Sequence, residues 1–214
     1  MCFSVQSWAF NFIFGIVCSF LLIKYGNKKY SENNLIYGYF FIYIVFMQLF
    51  DLIFWLNQNP NSKVNNIFTH IAALFVYTQP TMLYLLKVLI HKPNFNNNID
   101  KFYLLINLFY LYVVYEYYSN FIKDKPIITL KKGNHLKWKW TQNNSYLLYF
   151  ILFALNIFYL VESMSDIKYS IIVFILIFGS LLISSKIFKG YVGELWCYIA
   201  SGGPLIMLLL SYLF

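Results

Sequence analysis

Gln48, Asp51 and Trp55 carry the strongest chemical signal in the sequence, because they sit at i, i+3 and i+7 within the apolar stretch 35–56. On a helix that spacing lines up an amide, a carboxylate and an indole along one face. An aspartate at the centre of a membrane helix costs roughly 2.5–3.5 kcal/mol, so the stripe is expected to face protein, where a partner offsets the cost. All 16 basic residues are lysines, and none is expected deep in an apolar stretch, so no buried cation is expected beside Asp51. Its expected companions are Gln48, His70, Gln79 and the hydroxyl or amide groups of the N-terminal segment. The alternative is an acid kept protonated by desolvation.

The remaining chemistry-bearing residues are few. Gln79-Pro80 lies inside the third apolar stretch, where the missing N–H of Pro80 frees a carbonyl near Val76 and makes a polar pocket beside Gln79 plausible. Trp196-Cys197 opens the last stretch and is followed by Ser201-Gly202-Gly203-Pro204, a second place where backbone groups are open to bonding. Cys2 would expose an amine and a thiol if Met1 were removed, yet no lipobox precedes it and no histidine adjoins it as a base. Ser4 is expected to cap the first helix. Of the three histidines only His70 falls within a span, and a catalytic zinc wants about three protein ligands, so no metal is expected. The last stretch has no lysine to form a retinal Schiff base, and no cofactor is expected. Cys18 and Cys197 read as small buried side chains.

These residues must be positioned by membrane helices. Hydrophobic residues make up 60% of the 214, charged residues 11%, and the mean hydropathy is +0.61, against roughly 25% charged in soluble domains. The pattern predicts an all-α integral membrane protein, 1–214 forming a single bundle. Seven spans are expected at about 8–23, 35–56, 66–86, 102–118, 146–161, 169–187 and 195–214, with six as the alternative count. The first has no basic segment before it and reads as a retained helix. A β-barrel is disfavoured, because 171–183 is continuously apolar where barrel strands would alternate.

The extramembrane connection 122–144, between the fourth and fifth spans, has structure of its own. Two β-prone runs flank Gly133-Asn134 and predict a hairpin within about 125–141. Its second run alternates Leu136, Trp138 and Trp140 against Lys137 and Lys139, so one side is expected to pack on the bundle end or the interface. His135, Trp138 and Trp140 are the candidates for a lid or surface over a cavity.

Met1-Cys2-Phe3-Ser4, Gln48 with Asp51 and Trp55, Gln79-Pro80 and Trp196-Cys197 together resemble an uncharacterised family of multi-pass membrane proteins that begin Met-Cys-Phe/Tyr-Ser. Its members occur in bacteria and in large DNA viruses of protists. The lysine-only basic set and the abundant Asn, Ile, Phe and Tyr are what an AT-rich genome encodes, which makes the viral branch the closer match. The resemblance implies one constellation containing Cys2, Ser4, Gln48, Asp51, Trp55 and Trp196, and no transferable activity. The residues themselves favour a carrier, channel or sensor for a small polar ligand or ion, with His70 and Gln79 also lining the pocket. Two alternatives remain: a structural or assembly protein of a viral or intracellular membrane, and an intramembrane enzyme acting on lipid. The lipid bilayer is the expected partner. The net charge of +8 is scattered over loops without a basic patch, so nucleic acid is not expected. Orientation and oligomeric state stay open.

Overall fold

The computed structural model describes residues 4–92, 96–133, 135–138, 140, 146–162, 167–187 and 192–213. Its helices are α1 (Val5–Tyr25), α2 (Ser31–Leu56), α3 (Lys63–His91), α4 (Asn98–Tyr117), α5 (Tyr146–Glu162), α6 (Ile167–Ile187), α7 (Val192–Ala200) and α8 (Gly203–Leu210). A 3-10 turn (Lys28–Tyr30) leads into α2, and a π turn (Tyr118–Ile122) extends α4. α1, the unit 28–56 and α3 are long and apolar enough to cross a membrane.

Side-chain caps set several of these boundaries. Ser4 accepts from the Ser7 N–H at 3.2 Å and starts α1; Ser62 does the same for α3 through Asn65, and Asn97 for α4 through Ile99. α3 ends at Lys92 in a left-handed conformation, φ 47°. It therefore runs past the apolar stretch ending at Leu86 and includes Lys87 and His91.

The seventh segment departs from the expected single span. It is broken at Ser201-Gly202 into α7 and α8. Pro204 has no N–H to give a preceding turn and is tolerated only in the first turn of a helix, which is where it stands in α8. Gly203 also passes close to α2, where an added Cβ would come within 2.6 Å of the Phe41 ring.

α2 lies at the centre, burying Ile36, Tyr37, Phe40, Ile44, Met47 and Phe54. α1 packs on it through glycines: a Cβ on Gly15 would stand 2.5 Å from Val45 Cγ2, and one on Gly38 would stand 2.3 Å from Ile23 Cγ1. Small residues let helix backbones approach this closely. α3 runs antiparallel to α2, with Phe50 near Phe68, Tyr43 stacked on Phe75 at 4.6 Å and Glu32 paired with His91. The α2–α3 pair therefore has two ends: one holds Asp51 and the 57–62 turn, the other Glu32 and His91.

The expected hairpin is present as two short antiparallel strands, β1 (Leu130–Lys132) and β2 (His135–Lys137). They pair Leu130 with Lys137, Lys131 with Leu136 and Lys132 with His135. Gly133 at the turn has φ 64°, a region where a side chain is strained.

Candidate functional site

Asp51 is 0% exposed, and its Oδ1 accepts a hydrogen bond from the Trp138 indole Nε1–H at 2.9 Å. One partner thus comes from the hairpin connection. A buried indole N–H needs an acceptor as much as a buried carboxylate needs a donor, and the two meet at 87 residues' separation. Trp138 stacks on Trp140 at 5.0 Å between ring centroids, and Trp140 lies against Phe54 of α2. The Trp140 carbonyl accepts from both Tyr77 Oη and Tyr117 Oη, each at 3.1 Å.

Amide side chains at one end of α2 and α3 hold the connection in place. Asn65 Oδ1 accepts from the Thr129 N–H at 2.9 Å while its Nδ2 donates to the Thr129 carbonyl at 2.9 Å. One amide thereby stands in for a neighbouring strand. Asn66 Oδ1 accepts from the Ile127 N–H at 2.9 Å, Gln58 Oε1 from the Lys131 N–H at 2.6 Å, and the Thr69 and Thr129 hydroxyls bond each other at 3.0 Å. These bonds satisfy backbone groups of the irregular connection where it packs against the helices.

Gln48, on the same α2 face as Asp51, is 0% exposed, and neither its Oε1 nor its Nε2 has a hydrogen-bond partner among the described residues. Leaving such a group unpaired costs about 1–3 kcal/mol per atom, so this amide beside a buried acid is a position that calls for a polar partner. Trp140 Nε1 is likewise buried, with no partner among the described residues. These groups, with Asp51 and Trp138, make the candidate site.

The other expected residues distribute around it. Gln79 Oε1 accepts from Tyr149 Oη at 2.7 Å, and Tyr149 stacks on Phe153, which meets Trp196 edge-on at 5.6 Å. Thr78 bonds Tyr43 at 2.6 Å, so Gln79 and Trp196 belong to a second aromatic group nearer the middle of α2. Trp55 lies at the edge, with the Lys131 ammonium 5.3 Å above its ring. His70 Nδ1 is bonded to Tyr118 Oη at 3.4 Å and takes no part in the Asp51 contact. Ser4 is exposed at the start of α1. Cys2 and the side chain of His135 lie outside the described residues.

Around Pro80 the Tyr77 carbonyl accepts from Tyr110 Oη and the Pro80 carbonyl from Asn156 Nδ2, both at 2.8 Å. Asn156 and Asn107 exchange reciprocal amide bonds at 2.9 and 3.0 Å.

A buried cation lies elsewhere, just past the third apolar stretch. Lys87 is 7% exposed; its ammonium donates to the Tyr159 carbonyl and lies over the Tyr159 ring, while Tyr159 Oη donates to Asp100. The apolar pattern ends at Leu86, whereas the helix continues to His91, and that extension buries Lys87. It is no partner for Asp51: counted along α3 from Phe68, which is level with Phe50, it lies ~28 Å away at 1.5 Å per residue.

Among the described residues no group of three or more His, Cys, Asp or Glu is placed to hold a metal ion. Comparison with family models, curated proteins and solved structures gave no match.

Proposed function

We propose that the chain is a multi-pass membrane protein that binds a small polar solute or ion at Asp51 and Gln48, and works as a carrier, channel or sensor. One observation carries this reading: a fully buried carboxylate that accepts an indole N–H from a docked connection stands one turn from an amide with no partner among the described residues. Intramembrane ionisable residues in such settings commonly serve transport or sensing. The membrane setting is supported by α1, the unit 28–56 and α3, and by outward apolar rows such as Phe10, Ile13, Val17 and Phe20 on α1.

Asp51→Asn keeps the size of the side chain and an oxygen for the Trp138 bond but removes the charge. Reconstituted into vesicles, this variant is expected to lose solute flux, or ligand-induced thermal stabilisation in a screen of small ions and polar solutes, by about tenfold or more while remaining folded. Undiminished flux or binding would sink the proposal. The structural alternative draws on the reciprocal Asn107–Asn156 pair and the amide-docked connection, which serve as interhelical glue. In that case Asp51→Asn lowers thermal stability, and the wild type shows no solute response.

A further inference from the structure

A second cluster of titratable groups occupies the end of the α2–α3 pair opposite Asp51. Glu32 from the first turn of α2 is 59% exposed, and its Oε2 meets His91 Nδ1 at 2.6 Å. The other ring nitrogen of His91, Nε2, is buried and has no partner among the described residues. Lys87 lies one turn back on α3, so the two side chains share a helix face. Around Lys87 stand Tyr159 of α5, Asp100 of α4, bonded to the Tyr159 hydroxyl, and Tyr84 of α3, whose ring stacks on Tyr159 and whose Oη has no partner among the described residues. Glu32, Tyr84, Lys87, His91, Asp100, Tyr159 and Tyr103, whose ring stacks on Tyr159 at 4.1 Å, are titratable groups that the described parts of α2, α3, α4 and α5 bring to this cluster.

We propose that His91 is a proton shuttle that loads Lys87, a buried protonation site, from the exposed Glu32. An imidazole with one nitrogen on an exposed carboxylate and the other turned away from solvent can take a proton on one side and release it on the other. The Glu32 carboxyl gives its proton to Nδ1 of neutral His91, forming the imidazolium. The Nε2 proton then passes to the Lys87 amine once that side chain swings toward His91 along the shared α3 face, and the resulting ammonium returns to the Tyr159 carbonyl and ring, next to the hydroxyl that Asp100 holds. When Lys87 releases its proton back to Nε2, the Nδ1 proton returns to Glu32 and the starting tautomer is restored, and no oxidant or further reactant is needed. Lysine suits this role because burial readily tunes its protonation, whereas arginine stays charged.

This inference goes beyond the Asp51 reading and does not depend on it. The test is stopped-flow proton uptake by the purified chain in detergent micelles, read with an indicator dye after a jump from alkaline to neutral pH. The wild type is expected to show a slow phase of one proton beyond the instantaneous titration of its surface. His91→Gln slows that phase by about tenfold or more, Glu32→Gln slows it less, and Lys87→Met abolishes it. Added imidazole restores the rate in His91→Ala. Glu32→Gln changes an exposed side chain and keeps the test available should Lys87→Met fail to fold. A slow phase unaltered in the His91 and Glu32 variants, or its absence from the wild type, overturns the shuttle while leaving solute binding at Asp51 untouched; loss of solute response in Asp51→Asn with a normal slow phase separates the two sites.

Discussion

At the scale of single residues the Asp51–Trp138 bond decides most. Both side chains are fully buried, and Trp138→Phe keeps the aromatic stack on Trp140 while removing the N–H that Asp51 Oδ1 accepts. A hydrogen bond to a charged group contributes about 1.5–3 kcal/mol, so Trp138→Phe should lower the unfolding free energy in detergent by about that much. In a double-mutant cycle with Asp51→Leu the two changes should be strongly non-additive; additive losses would mean that the bond contributes nothing. The sequence made Asp51 conspicuous because a lone acid in an apolar stretch demands explanation. It also marked Trp138, through the alternation of Leu136, Trp138 and Trp140 with lysines. Their pairing could not be read, since hydrogen bonding between positions 87 apart leaves no periodicity. Lys87 was missed for a different reason: hydropathy reports where apolar side chains stop, and α3 continues to its left-handed cap at Lys92.

Among the elements, the connection behaves as part of the bundle. The Asn65 side chain makes four hydrogen bonds among the described residues, to the Asn57 carbonyl, the Thr69 hydroxyl and both backbone groups of Thr129. Asn65→Ala leaves the buried Thr129 N–H and carbonyl without these partners, at about 1–3 kcal/mol for each. The connection should then open locally, and trypsin should cut faster after the exposed Lys131 and Lys132 than in the wild type. Equal cleavage rates would show that the amide clamp does not hold it. The α1–α2 contact is expected to be equally intolerant. A methyl group on Gly15 meets Val45 Cγ2 at 2.5 Å and Ser201 Cβ at 3.2 Å, so Gly15→Ala presses on two neighbours at once and should cost about 1–3 kcal/mol in thermal unfolding. The hairpin was readable from its Gly-Asn turn and flanking β-prone runs, and six of the helices from their apolar lengths. The break in the seventh was foreshadowed by Ser201-Gly202-Gly203-Pro204, but the near contact of Gly203 with Phe41 belongs to tertiary packing.

For the whole molecule, the contacts fix which loops share an end. The 26–30 turn joins α1 to α2 at the Glu32 end, and the 57–62 turn joins α2 to α3 at the Asp51 end. α4 begins at Asn98, just beyond the C-terminal end of α3, and hands over at Tyr118, which bonds His70 near the opposite end of α3. Its 20 residues rise ~30 Å, so α4 covers most of the height of the pair, from the C-terminal end of α3 to the level of His70. The connection after it docks on Gln58, Asn65 and Asn66, which places it with the 57–62 turn. If the bundle spans a bilayer, single cysteines at Asn59 and Lys131 in a background lacking the native cysteines should label from one side of sealed vesicles, and cysteines at Asn27 and Asn97 from the other. Labelling of Asn59 and Lys131 from opposite faces would contradict the docking. Labelling of all four from the same face would mean that α2, α3 and α4 do not cross, and Asp51 would then have to be explained as a buried acid of a bundle bound to one surface of the membrane, with its desolvation imposed by protein alone.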